Sequence, residues 1–290
     1  METILVLTDF SAVSHYAASY ACVLAKQLKV PTLVLYHSYQ TVIAPSETIT
    51  YLGDEESLKK VAMQALEDQG RALQDQLPMG TTLRYRTDTR LLDEASMVAA
   101  EEAAVMIVMG TTGKSKLQEM VSGSNAIQVC ETSHLPVVLV PAEVLLEPIG
   151  SIVFACDMKE TGGTLPTERL TNVLDMFPVP LSVLHVEKEE QGLLPEEVPE
   201  MVALNKLLQP YRPAYQSIKD DDTATGILEF AKQRPASIVL VIAKRHGFPS
   251  GLFHRSITKQ LAFHTTIPLM VLQAKEKEPA PLPVIPLLEI

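Results

Sequence analysis

Two stretches of this sequence carry residues whose types and spacing could do chemistry. The first is Thr8-Asp9-Phe10-Ser11, where an aspartate follows directly on an apolar run; the second is MGTTGKSKLQEMVSGSNA, residues 109–126, which follows the apolar run Val105-Met106-Ile107-Val108. Gly110 and Gly113 would allow φ > 0 and let backbone N–H groups approach an anion with no Cβ in the way. Gly123-Ser124-Asn125 falls near the start of an expected helix, where free amides, the helix dipole and a hydroxyl favour a phosphate. Asp9 has the wrong charge for phosphate and suits ribose hydroxyls or an adenine edge. The bland reading of the same glycines is a turn that serves strand-to-helix geometry alone.

Counting removes two familiar phosphate sites. Gly113-Lys114-Ser115 resembles the end of a Walker A loop, but that loop needs a glycine five residues earlier, and position 108 is valine. No G-x-G-x-x-G follows the first strand, where TDFSAVS stands instead. Lys114 and Lys116 could touch a terminal phosphate or simply be solvated. His37 and His185 end matching apolar runs and read as structural hydrogen-bonding groups. His246, His254 and His264 lack a Cys or carboxylate that completes a ligand spacing, so no metal site is expected, and Arg245 and Arg255 with these histidines could hold some other anion. Hydrolysis would need a base or stabilising cation near the terminal phosphate, whereas Asp9 is at the nucleoside end. No catalytic residue is assigned, and a binding module is preferred to the alternative, a slow ATPase or phosphotransferase using the same pocket.

The elements that must position these residues come in two copies. Ile4–Asp9, ILVLTD, recurs as IVFACD at 152–157, and LVLYH ending at His37 recurs as LSVLH ending at His185, both offset by 148 residues. Later landmarks recur with a smaller shift, AVMIVMG (104–110) as SIVLVIA (237–243) and SHLPVVLV (133–140) as TTIPLMVL (265–272). Short apolar, β-branched runs alternate with longer amphipathic stretches, the pattern of parallel strands joined by helices. Strands are expected at 3–8, 32–37, 82–87, 105–109 and 136–140, then 151–156, 181–186, 214–219, 237–242 and 267–272, with first-copy helices near 12–29, 55–77, 93–104 and 120–133. The fold class is α/β, two tandem doubly wound five-stranded parallel sheets with right-handed crossovers. The expected units are 1–144, 145–275 and a proline-rich C-terminal arm, 276–290. The stretch between the second strand and second helix, 38–57, lacks clean periodicity and could cover a ligand or be a plain excursion.

The 290 residues, 47% hydrophobic and 20% charged, suffice for two cores. A net charge of −11 disfavours nucleic acid, which must be held through many phosphates by clustered Lys and Arg, and points to a small ligand. Cys22, Cys130 and Cys156 lie in apolar contexts and read as buried thiols in a reducing compartment. METILVLTDF reads as a strand, not a signal peptide, and no apolar run approaches membrane-spanning length, so the expected location is cytoplasmic.

The spacing Gly110-x2-Gly113-x9-Gly123-Ser124 resembles the G-2x-G-9x-G-[S/T] signature of the universal stress protein family, and TDFS at 8–11, LVLYH and LPVVLV resemble its other landmarks. The resemblance implies a tandem member with adenine nucleotide alpha hydrolase-like sheets ordered 3-2-1-4-5, binding ATP with or without magnesium as a stress-response regulatory module. It implies that Thr8 and Asp9 contact the adenosine, that Ser38 offers backbone groups to the base, and that Met109 and Gly110 lie along the ribose and phosphates. Gly113, Gly123, Ser124 and Asn125 would wrap the phosphate chain. Leu7 stands where the family commonly has proline. In the second copy Ala243, His246 and Arg255 replace the three glycines, so that copy is expected not to bind ATP alike but to pair with the first through its fifth strand. A further homodimer and an unidentified protein partner are compatible with this reading.

Overall fold

In a computed structural model the described residues are 3–39, 55–90, 94–111, 122–142, 144–156, 165–187, 198–234, 236–243 and 255–275. The first half gives β1 (Thr3–Leu7), α1 (Ala12–Leu28), β2 (Thr32–Ser38), α2 (Glu55–Leu73), β3 (Thr82–Asp88), α3 (Ala95–Glu101), β4 (Ala104–Thr111), α4 (Ser122–Thr132) and β5 (Val137–Pro141). The second gives β6 (Ile152–Ala155), α5 (Thr167–Met176), β7 (Leu181–Glu187), α6 (Val198–Leu208), β8 (Ala214–Lys219), α7 (Thr223–Gln233), β9 (Ile238–Ala243), α8 (Arg255–His264) and β10 (Leu269–Gln273).

All ten strands form one sheet, ordered β3-β2-β1-β4-β5-β10-β9-β6-β7-β8. Each copy is a 3-2-1-4-5 parallel array, and the arrays join where β5 meets β10 antiparallel, with Val138 opposite Met270. That pairing removes one exposed edge from each array. The edges that remain, β3 and β8, carry charge: Arg84 and Arg86 on one, Lys219 on the other.

The strand sequences are apolar throughout because both faces are covered. Ile4 and Val6 point into one core with Ala17, Tyr20 and Leu24 of α1 and Leu66 of α2, whereas Leu5 and Leu7 point into the other with Val98 of α3 and Ala126, Ile127 and Val129 of α4. Helices α1 and α2 thus cover one face and α3 and α4 the other. The winding reverses between β1 and β4, and a sheet of this kind opens a crevice at the carboxyl ends of the strands there. Cys22, Cys130 and Cys156 are buried thiols outside any disulfide among the described residues, and burial raises the Cys22 thiol to about 11. No helix among the described residues is long and apolar enough to cross a membrane.

Candidate functional site

The crevice begins where β1 stops. Thr8 Oγ1 accepts from Phe10 N–H (3.0 Å), and Asp9 Oδ1 accepts from Ser11 N–H (3.0 Å), so two consecutive side-chain turns bend the chain from strand into helix. The bend needs a left-handed residue between them, and Phe10 supplies it at φ 62° although it is not glycine. Such a conformation costs about 1–2 kcal/mol for an L-residue. The Phe10 ring lies 4.4 Å from that of His37, which holds it in place. Ser11 is the N-cap of α1, its hydroxyl accepting from Ser14 N–H at 3.2 Å.

Thr8 is a strut. Its N–H donates to Tyr36 O (2.9 Å), His37 Nδ1 lies 2.8 Å from its carbonyl, and its hydroxyl is bonded to Ser14 Oγ (3.0 Å) and donates to Gln69 Oε1 (2.8 Å). Thr8, Ser14 and Gln69 are all buried, which ties α1 and α2 to the end of β1. The second copy repeats the histidine contact, with His185 Nδ1 3.4 Å from Cys156 O, so both histidines have the structural role their positions suggest.

Asp9 is exposed at the mouth. Partial desolvation pushes its pKa up, but hydrogen bonds from the hydroxyl and amide of Ser11 and from Ser14 outweigh this and hold it below the ordinary 3.8. It is therefore an ionised acceptor at neutral pH. Ser38, at the end of β2, commits its hydroxyl to Arg90 O, leaving its backbone groups as what it can offer.

Beside β1, the register sets Leu7 opposite Met109, so Thr8 comes level with Gly110, while β4 runs on to Thr111, which pairs with Pro141 of β5. Met109 is buried on the face shared with α4. The expected positive φ at Gly110 is not observed: Gly80 is the positive-φ glycine among the described residues. A Cβ on Gly110 would instead lie 2.8 Å from Val13 Cγ1 and 2.9 Å from Val13 C, so glycine is required there because the first turn of α1 presses on β4. Gly123, Ser124 and Asn125 fall in the first turn of α4, which contains no acidic residue, and Asn125 is half-buried. Gly113, Lys114 and Lys116 lie outside the described residues, as do 40–54 of the irregular stretch, Arg245, His246, His254 and the arm 276–290. Among the described residues no group of His, Cys, Asp or Glu is arranged to hold a metal.

Reasoning from sequence missed Phe10, Ser14 and Gln69. The signal for Phe10 was present in Thr-x-Phe-Ser, residues 8–11, where a pair of hydroxyl residues can bond backbone across a tight bend; nothing local marks Gln69, which lies 61 residues from Thr8.

The chemistry at this end of the sheet is an ionised carboxylate just past β1 and a helix N-terminus with no acidic residue in its first turn. The universal stress protein family profile matches residues 1–141. Universal stress protein MJ0531 of Methanocaldococcus jannaschii is 30% identical over 145 residues, 48% of this chain and 81% of the relative. The crystal structure of a universal stress protein from Archaeoglobus fulgidus superposes with a TM-score of 0.67 over 95% of this chain and 97% of that one, at 14% identity, a likeness of fold. A universal stress protein crystallised in complex with cAMP is 24% identical over 48% of this chain and 96% of its own, with a TM-score of 0.35, an overlay too loose to place its ligand here. The chain belongs to the universal stress protein family.

Proposed function

We propose that the crevice between β1 and β4 holds ATP and that the chain is a nucleotide-dependent stress-response binding module, cytoplasmic, without efficient turnover. The observation that carries this is the register of β1 on β4 at the winding reversal, which sets Leu7 opposite Met109 and so brings Thr8-Asp9 out at the carboxyl end of β4, the end of the sheet at which α4 begins. Asp9 accepts from the ribose hydroxyls, the backbone at Ser38 meets the base, and Met109 and Gly110 line the ribose and α-phosphate. Gly113, Gly123, Ser124 and Asn125 surround the phosphate chain, with magnesium carried on the phosphates. Thr8 acts from beneath, holding the bend on which Asp9 stands. The acidic group at this mouth is at the nucleoside end, distant from where an attacking water would need a base, which supports binding over hydrolysis. The site belongs to a unit spanning 1–144, with 145–275 as its partner and 276–290 as an arm.

The test is titration of the purified chain with ATP and adenosine by calorimetry, with melting followed in parallel. A ligand of the native state stabilises by about 2.7 kcal/mol at one hundred times its Kd. ATP is expected to raise the melting temperature, Asp9→Ala to weaken both ligands, and recovered nucleotide to be intact ATP. Absence of heat and of protection up to millimolar ATP refutes the reading, and steady ADP release abolished by Gly123→Val replaces it with an enzyme.

A further inference from the structure

We propose that the second copy is a working part of the first copy's site: two hydrogen bonds across the β5–β10 seam, one onto the end of α4 and one from the end of β4 onto α8, against which α4 packs, seat α4 and thereby set where its first turn meets the phosphates. This rests on the nucleotide reading above and adds to it the group that positions the phosphate end.

Helix α4 does not pack on its own copy alone. Its buried residues Ala126, Ile127, Val129 and Cys130 share one core with Val239, Leu261, Ala262, Leu269 and Val271 of the second copy, and α4 lies against both β10 and α8. Its last turn ends in carbonyls with no helical donor, and Gln273 Nε2, from the end of β10, donates to one of them, Glu131 O. Gln273 is 3% exposed, and Arg169 Nη1 of α5 donates to its carbonyl at 3.0 Å. The contact is reciprocated. Thr111, 2% exposed and next in sequence to Gly110, donates from Oγ1 to Ala262 O in the last turn of α8 at 2.8 Å. Each copy therefore caps the end of the other's fourth helix. The Thr111 bond is buried, and on the other bond Gln273 is buried, so removing either leaves a buried polar group that cannot readily recover a partner from water.

The lever is short and stiff. Helix α4 has 11 residues, a rod of about 16 Å at 1.5 Å per residue. A tilt of about 3° at its seated end moves the first turn by about 1 Å, more than the spread of good N–H···O distances. The other end of the site is insulated from that movement, because Asp9 is fixed by Ser11 and the Thr8 strut inside the first copy. The two staples therefore tune the phosphate end and leave the nucleoside end alone. By linkage, phosphates bound at α4 also tighten the seam.

The full chain is titrated with ATP and with adenosine, in wild type, Thr111→Val, Gln273→Met and the hydroxyl-retaining Thr111→Ser. The expected result is a fall in ATP affinity of about tenfold for Thr111→Val and Gln273→Met, adenosine affinity within about twofold of wild type, and recovery of the ATP-to-adenosine ratio in Thr111→Ser. A purely structural role would lower both affinities together or neither. If either variant fails to fold, hydrogen exchange of the wild type gives the answer: ATP slows exchange in α4 and also in β10 and α8. An unchanged ATP-to-adenosine ratio in folded variants, or ATP protection confined to the first copy, overturns the proposal while leaving the nucleotide reading intact. Wild type that binds neither compound overturns both.

Discussion

Gly110→Ala separates two explanations of a glycine that a phosphate-loop reading would assign to the ligand alone. The added Cβ would lie 2.8 Å from Val13 Cγ1, 2.9 Å from Val13 C and 3.0 Å from Val13 O. Carbon contacts relax at about 3.5–4.0 Å, so the start of α1 must retreat from β4 by several tenths of an ångström. Overpacking of this kind costs about 1–3 kcal/mol, and about 2–4 °C of melting temperature accompanies each kcal/mol in a domain of 150–250 residues. The nearest obstacle is a side-chain methyl, but the next two are backbone atoms, so adding Val13→Ala to Gly110→Ala should restore only part of the loss. Denaturant unfolding without nucleotide is the assay, since a glycine kept solely for a ligand leaves ligand-free stability unchanged. A Gly110→Ala protein within about 0.5 kcal/mol of wild type, or one fully rescued by Val13→Ala, would refute the packing argument.

Two further outcomes follow from the bend at the mouth. Phe10→Ala and Phe10→Gly both remove the ring over His37, but only glycine relieves φ 62°, so the glycine variant should be the more stable by about 1 kcal/mol; the reverse order in denaturant midpoints would show that the strain is absent. Asp9 has a folded pKa below its ordinary 3.8, so its charge contributes stability that is present above the unfolded value and lost as pH falls through the folded one. Wild type and Asp9→Asn, which keeps the acceptor for Ser11 N–H, should therefore differ in midpoint at neutral pH and converge below about pH 3.8, whereas a gap that closes near pH 6 would show the sign or the group to be wrong.

The strands were legible because parallel strands covered on both faces must be apolar along their length: LVLYH and LSVLH, AVMIVMG and SIVLVIA each fall on a strand of the sheet. The seam was legible in outline from the paired fifth strands, yet its two staples were not. Thr111 and Gln273 are polar residues ending apolar runs, the position where a strand ordinarily meets solvent, and only the packed second copy reveals them as buried. The bend at Asp9-Phe10-Ser11 was half legible. The hydroxyl and carboxylate acceptors could be read, but a phenylalanine at positive φ contradicts local preference and is held there by Thr8, Ser11 and His37 together. At Gly110 the positive φ expected from the spacing is not observed, and the spacing marks a glycine without saying that Val13 of α1 is what excludes a Cβ there.

The second copy supplies an internal check on that last point. Its counterpart to Gly110 is Ala243, which is buried and accommodates a Cβ at the end of β9. If phosphate were the sole reason for glycine, a Cβ at Gly110 would meet open space in the absence of ligand; it meets Val13 of α1 instead, whereas the end of β9 has room for the methyl of the buried Ala243. A phosphate at this mouth would then exploit a close approach of helix to strand that the fold of the first copy already imposes.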